Sequence, residues 1–137
     1  MIYLHVLLLA VVMLPPENFT YTVNETNSVT FVCVVVGIPA PSISFYRNGR
    51  VIDESTDMRI TLTDNSEPQN FLPSGGTVFL VSRNLTLDNT MDTDSSTYTC
   101  AASNLAVNVT RDFELVVQGE LLYICSIQWE LIFMKDG

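Results

Sequence analysis

Apolar and polar side chains alternate along most of this chain with a period of two. Val29, Phe31, Cys33 and Val35 alternate with Thr30, Val32 and Val34, and the spacing returns at Ile43 and Phe45. A strand shows its two faces in turn, so this period predicts strands with one side in a core. Leu85 and Leu87 share a face within a β-prone stretch from Val78 to Leu87. Tyr98, Cys100 and Ala102 form another inward set, and Phe113, Leu115 and Val117 the last clear strand. GIPAPS, Gly37 to Ser42, reads as a loop from its glycine and two prolines. Asn48-Gly49 reads as a hairpin turn, because a type I′ turn needs positive φ at both central residues. Val51 and Ile52 begin the return strand. From Asp53 to Thr77 the chain is polar, with two Pro and two Gly. That predicts loops with one or two short edge strands around Arg59–Leu62. No segment before Gly119 has a helical period. Seven or more short strands, with turns about every ten residues, predict an all-β, two-sheet antiparallel sandwich.

The two ends of the chain depart from this pattern. Residues 1–16 read as a signal peptide: the run from Ile2 to Leu14 is too short for a membrane span, which takes about 20 residues, and suits the apolar part of a secretory leader. No Lys or Arg precedes the run and no clean cleavage site follows it. The other reading of the run is an apolar first strand. The sandwich is expected over 17–118. Residues 119–137, with Trp129 and Cys125, are either an amphipathic tail or a fragment end beyond which the chain continues into another domain.

Composition narrows the function. Fifteen acidic residues against six basic ones give a net charge of −9. Phosphate recognition needs clustered Lys and Arg, so nucleic acid and anionic membrane surfaces are excluded as partners. The one histidine, His5, lies in the leader, which leaves the mature chain without the base of a Ser-His-Asp or Cys-His site. No zinc spacing and no Gly-rich phosphate loop occur. Catalysis, a cofactor and a small-molecule substrate are therefore not expected. Asp88, Asp92 and Asp94 lie close together but lack calcium-loop spacing and read as a solvated loop. Four sequons, at Asn18, Asn24, Asn84 and Asn108, point to an extracellular route with N-glycosylation. In a secreted chain two of the three cysteines pair and one is left over.

Two inward cysteines on facing sheets can bridge a sandwich core, and Cys33 and Cys100 are 67 residues apart. Tyr98, two residues before Cys100, faces the same side, where its hydroxyl can return to an upstream carbonyl as a tyrosine corner. On these residues the chain resembles the immunoglobulin superfamily. LTLDNTMDTDSSTYTCAASN, Leu85 to Asn104, is similar to that family's E–F stretch, with Leu85, Leu87, Asp94, Ser95, Tyr98, Cys100, Ala102 and Asn104 in register. SVTFVCVVVGIPAPSISFYRNG, Ser28 to Gly49, is similar to the B–C stretch of intermediate-set domains. The likeness covers roughly Pro15 to Gln118.

The resemblance implies a Greek-key sandwich, a Cys33–Cys100 disulfide and a salt bridge between Arg59 and Asp94. Leu85, Leu87, Tyr98 and Phe45 would be structural, with Phe45 where the family has a core tryptophan. Ser96 and Val107 stand where the family has glycines, so the F–G hairpin should differ from the usual shape. An extra strand of the variable type is allowed by the long insert between Asn65 and Gly76.

Outward parity places Val32, Val34 and Val36 on one sheet, with Asn84 beside them. The opposite sheet presents Tyr46, Thr99, Ala101, Glu114 and Val116, the candidate binding face. The implied function is extracellular recognition of a protein ligand or a homophilic partner, as a module of a cell-adhesion protein, a cell-surface receptor or another membrane-anchored chain. The alternatives are a stand-alone secreted binder, including a disulfide-linked dimer through Cys125, and an architectural repeat of an extracellular matrix array.

Overall fold

A computed structural model describes residues 9–14 (backbone), 18–69, 78–105 and 107–119. Among the described residues nine strands follow one another: β1 (Leu9–Leu14), β2 (Phe19–Asn24), β3 (Val29–Ile38), β4 (Ser42–Arg47), β5 (Arg50–Val51), β6 (Ile60–Gln69), β7 (Val78–Leu87), β8 (Ser96–Ser103) and β9 (Asn108–Gln118). They form a four-stranded sheet, β1-β3-β7-β6, and a five-stranded sheet, β2-β9-β8-β4-β5. The described helical structure is one short 3₁₀ turn, Asp92–Asp94, ahead of β8.

The period of two in the sequence becomes the inside and outside of the sandwich. Val29, Phe31, Cys33 and Val35 of β3 are buried, and so are Leu85 and Leu87 of β7. From the other sheet come Ile43 and Phe45, Tyr98, Cys100 and Ala102, and Phe113, Leu115 and Val117. Phe31 is the hub of an aromatic group. Its ring centroid lies 5.1 Å from Tyr21, 4.9 Å from Tyr98 and 5.5 Å from Phe113. Such pairs add to simple area burial, about 1 kcal/mol each. Phe45 is wholly buried and stands opposite Cys100 across β4 and β8.

Several elements differ from the sequence reading. The pairs are antiparallel except one: β2 runs parallel to β9, from Phe19↔Phe113 to Asn24↔Gln118. β1 belongs to one sheet and β2 to the other, and the edge position beside β9 is filled in the parallel sense. Gly37 and Ile38, read as loop, end β3, because they pair with Phe79 and Leu9 of the flanking strands. The loop shrinks to Pro39–Pro41. β6 is ten residues long rather than a short edge strand, since it follows β7 residue by residue from Ile60↔Leu87 to Gln69↔Val78. Among the described residues the only return strand after Asn48-Gly49 is the two-residue β5. Both turn residues have the expected positive φ, 52° and 76°. β1 lies inside 1–16, the stretch read as a leader, so that stretch and the four-stranded sheet share six residues.

Candidate functional site

The base of the sandwich is tied by charge and one buried hydroxyl. Arg59, just before β6, donates to both oxygens of Asp94, from Nη1 at 2.8 Å and from Nη2 at 3.0 Å, and Nη2 also donates to Asp57 at 2.8 Å. Bidentate guanidinium–carboxylate pairs are among the stronger hydrogen-bonded contacts. Asp94 is only 4% exposed. Burial pushes its carboxyl up, but hydrogen bonds from Arg59 and the Met91 amide, with the charges of Arg59 and Arg47, outweigh that and leave it below the usual carboxylate range. The Arg59 guanidinium is held more firmly protonated by Asp94 and Asp57. Tyr98 donates its buried hydroxyl to the Asp94 carbonyl at 2.7 Å, which closes the corner. Burial raises the Tyr98 hydroxyl above its ordinary value.

The Cys33–Cys100 bond joins β3 to β8 through the middle of the core. Asp88 accepts from Ser28 at 2.7 Å, and Asp94 is engaged by Arg59. Among the described residues no three His, Cys, Asp or Glu side chains are grouped to hold a metal ion.

One structural residue went unread in the sequence. Thr90 is 1% exposed, and its hydroxyl serves the carbonyls of Asn24 and Asn27 at 3.2 and 2.8 Å. It pins the β2–β3 turn to the segment after β7. Threonine in a polar stretch looks like loop, and only the fold reveals that its hydroxyl joins two carbonyls of the β2–β3 turn. Asn104 is another. Val107 sits where a glycine was expected, and the hairpin closes through the Asn104 side chain, which accepts from the Val107 amide at 3.1 Å and donates to the Ile38 carbonyl at 3.1 Å.

The five-stranded sheet turns a broad face to solvent. Tyr46 lies beside Val51 on one side and Thr99 on the other, and Thr99 donates to Asp112 at 2.9 Å. In neighbouring rows Ala101 stands between Ser44 and Thr110, Glu114 between Thr97 and Thr20, and Val116 beside Thr22. So Tyr46, Thr99, Ala101, Glu114 and Val116 do share one surface. Sequence reasoning missed Val51, which is 55% exposed next to Tyr46. Its pairing follows from the Asn48-Gly49 turn and was readable in principle.

The sequons divide unevenly between the faces. Asn18, Asn24 and Asn108 are exposed and have outward parity on the five-stranded sheet, along β2 and at the start of β9. Asn18 accepts from the Asp112 amide at 3.1 Å. Asn84 faces outward on the other sheet, between Val32 and Thr63. Of the valine row only Val32 is well exposed, at 40%; Val34 and Val36, paired with β1, are half-buried. Cys125 and the rest of 120–137 lie outside the described residues.

Comparison with known proteins agrees with this geometry. A family model described as an immunoglobulin domain matches residues 11–104. Neuroglian of Drosophila melanogaster is 32% identical over 100 residues, covering 72% of this chain and 6% of that protein. Human hemicentin-1 is 33% identical over 103 residues, 75% of this chain and 2% of that protein. Mouse myopalladin is 31% identical over 109 residues, 76% and 7%. The chain thus spans a small part of these relatives' lengths. Among solved structures, titin domains Z1Z2 in complex with telethonin match with a TM-score of 0.62 at 23% identity, over 81% of this chain and 49% of that one. The titin M10–obscurin-like 1 immunoglobulin complex matches with a TM-score of 0.61 at 19% identity, over 80% and 94%.

Proposed function

This chain belongs to the immunoglobulin domain family, and from that premise we propose that it is an extracellular recognition module that binds a protein partner through the outer face of its five-stranded sheet. The observation that carries the proposal is the gathering of Tyr46, Val51, Thr99 and Ala101 on one solvent face of a rigid sheet. Aromatic anchors of this kind dominate protein interfaces, and none of these side chains is needed to fill the core. Glu114 and Asp112 are the charged groups on this face among the described residues, so the partner presents a basic or neutral surface to it. A module within a longer adhesion or receptor protein fits the sequence best, because each relative above is many times the length of this chain.

The extracellular setting rests on two supports. The Cys33–Cys100 bond lies in the core, and disulfides persist in oxidising compartments. The four sequon asparagines are on the two outer faces. Glycans at Asn18 and Asn24 would line the β2 edge, and one at Asn108 the far end of β9. Asn18, next to Asp112, is three strands from Tyr46, about 14 Å at ordinary strand spacing. The glycans would shade Glu114 and Val116 and leave the β8–β4–β5 half open. A glycan at Asn84 would cover Val32. The contact surface is then centred on Tyr46 and Val51.

An array of extracellular proteins, offered the secreted and tetramerised chain, tests this. Wild type should bind at least one member saturably, and Tyr46→Ala should lose it. Saturable binding that survives Tyr46→Ala, or no saturable binder, would overturn the proposal.

A further inference from the structure

A cleft of about 600 Å³ opens at the edge of the sandwich where β5 leaves the five-stranded sheet short and Ile60 begins β6 on the other. Its floor is core: Ile52, Leu85, Leu87 and Tyr98. Ligand sites commonly span about 300–1,000 Å³, with an apolar lining and a few placed polar groups. Here the polar groups of the lining are Asn48, Thr56, Asp57, Asp94 and two guanidiniums. Arg47 and Arg50 are directly opposite each other across the β4–β5 pair, and both line the cleft.

Like charges so placed destabilise a strand pair. Arg47 is partly compensated. It donates to the Thr93 carbonyl at 2.6 Å, lies 3.9 Å from an Asp94 oxygen, and sits 5.5 Å above the Tyr98 ring. Asp57 and Asp94, the two carboxylates in the lining, are both engaged by Arg59. Arg50 is exposed, and no carboxylate among the described residues is within ion-pair distance of it. Arg50 therefore stands at the cleft with no carboxylate paired to it among the described residues. The chain's net charge of −9 would repel an anion at long range. At physiological ionic strength charges beyond about 8 Å are screened, so the local field is that of Arg47, Arg50 and Arg59 against Asp57 and Asp94, one positive charge in excess.

We propose that this cleft binds an extended peptide segment of a partner protein, one that carries a carboxylate beside a bulky apolar side chain. The carboxylate pairs with Arg50, and the apolar group rests on Ile52 and Leu87. Strand edges flank the cleft on both sides, which lets a chain enter and leave. The proposal rests on the reading that this domain recognises protein, and it adds a second contact that adjoins the Tyr46 face at Val51.

The test is an amide NMR titration of the full chain with a blocked peptide, acetyl-Gly-Leu-Glu-Leu-Gly-amide. Its Gln counterpart and octanoate are the comparison arms. The Glu peptide should give saturable shifts at Arg50, Thr56 and Ile60. Affinity should fall at least tenfold with the Gln peptide and in Arg50→Gln, which keeps its fold because Arg50 is exposed and outside every ion pair. Thr56→Trp, which narrows the mouth, should weaken binding as well. No saturable shift, equal response to the two peptides, or unchanged affinity in Arg50→Gln overturns the proposal. So does a response to octanoate alone, which would mark the cleft as an amphiphile site. None of these failures touches the Tyr46→Ala experiment, so the two readings fall separately.

Discussion

Tyr98 works on both its faces: the ring packs 4.9 Å from Phe31 and the hydroxyl holds the Asp94 carbonyl. Tyr98→Phe keeps the first and removes the second. Leaving a buried carbonyl without its donor costs about 1.5 kcal/mol, which urea unfolding should read as a lower midpoint at unchanged slope. Arg59 is worth more. Without it Asp94 is a buried, nearly unpaired carboxylate, and Arg59→Ala should cost about 3 kcal/mol. That cost depends on pH with a definite sign. The Asp94 and Asp57 carboxyls lie below their ordinary values in the folded protein. Their contribution is full above the unfolded value of about 4 and is lost as pH falls toward the folded values. The gap between wild type and Arg59→Ala, measured by urea unfolding at each pH, should therefore narrow from pH 6 to pH 3. A gap that stays constant would mean that Arg59 acts by packing. At this scale the sequence was informative where residue type forces a role. Tyr98, Cys100 and Asp94 sit at fixed spacings on one strand and the turn before it. Thr90 and the side chain of Asn104 were not legible, because their partners are carbonyls brought close only by tertiary structure.

Strands were read best where one side is buried and the other wet, as in β3, β8 and β9. The reading was weaker at strand ends and edges. Gly37 and Ile38 carry loop-like neighbours, and only pairing on both flanks keeps them in β3. β6 has a polar sequence because most of it is exposed at the sheet edge. Its free edge is guarded locally. The Ile60 amide is taken by the Asp57 carbonyl, the Leu62 amide by the Glu54 carboxylate at 2.8 Å, and Pro68 has no N–H to offer. Such guards keep an edge strand from recruiting another chain. Between the sheets the disulfide closes a loop with a sequence separation of 67, and on the loop-entropy account its removal costs about 4 kcal/mol. A Cys33→Ala/Cys100→Ala double variant should lose that much in chemical denaturation. A loss under about 1 kcal/mol would show that core packing around Phe31 and Phe45 holds the sheets together by itself.

For the whole molecule, fold and function were legible to different depths. The sandwich follows from periodicity, and the family from a handful of spaced residues. The proposed binding face follows only in part. Parity puts Tyr46 and Glu114 on the same side, but it took the strand order to show that β2 and its sequons border that face. The distribution of asparagines, three on one sheet and one on the other, moves the expected contact from the middle of the face toward β4 and β5. The direct measurement is the affinity for an array-identified ligand of two matched variants, Tyr46→Asp and Val32→Asp, by surface plasmon resonance. Both place a new charge on an outward-facing strand position, one on each sheet, Tyr46 half-buried and Val32 exposed. Tyr46→Asp should weaken binding at least tenfold, about 1.4 kcal/mol, and Val32→Asp, a position away from the proposed contact, less than about twofold. The reverse order, with Val32→Asp weakening the complex and Tyr46→Asp sparing it, would contradict the account and place recognition on the four-stranded sheet.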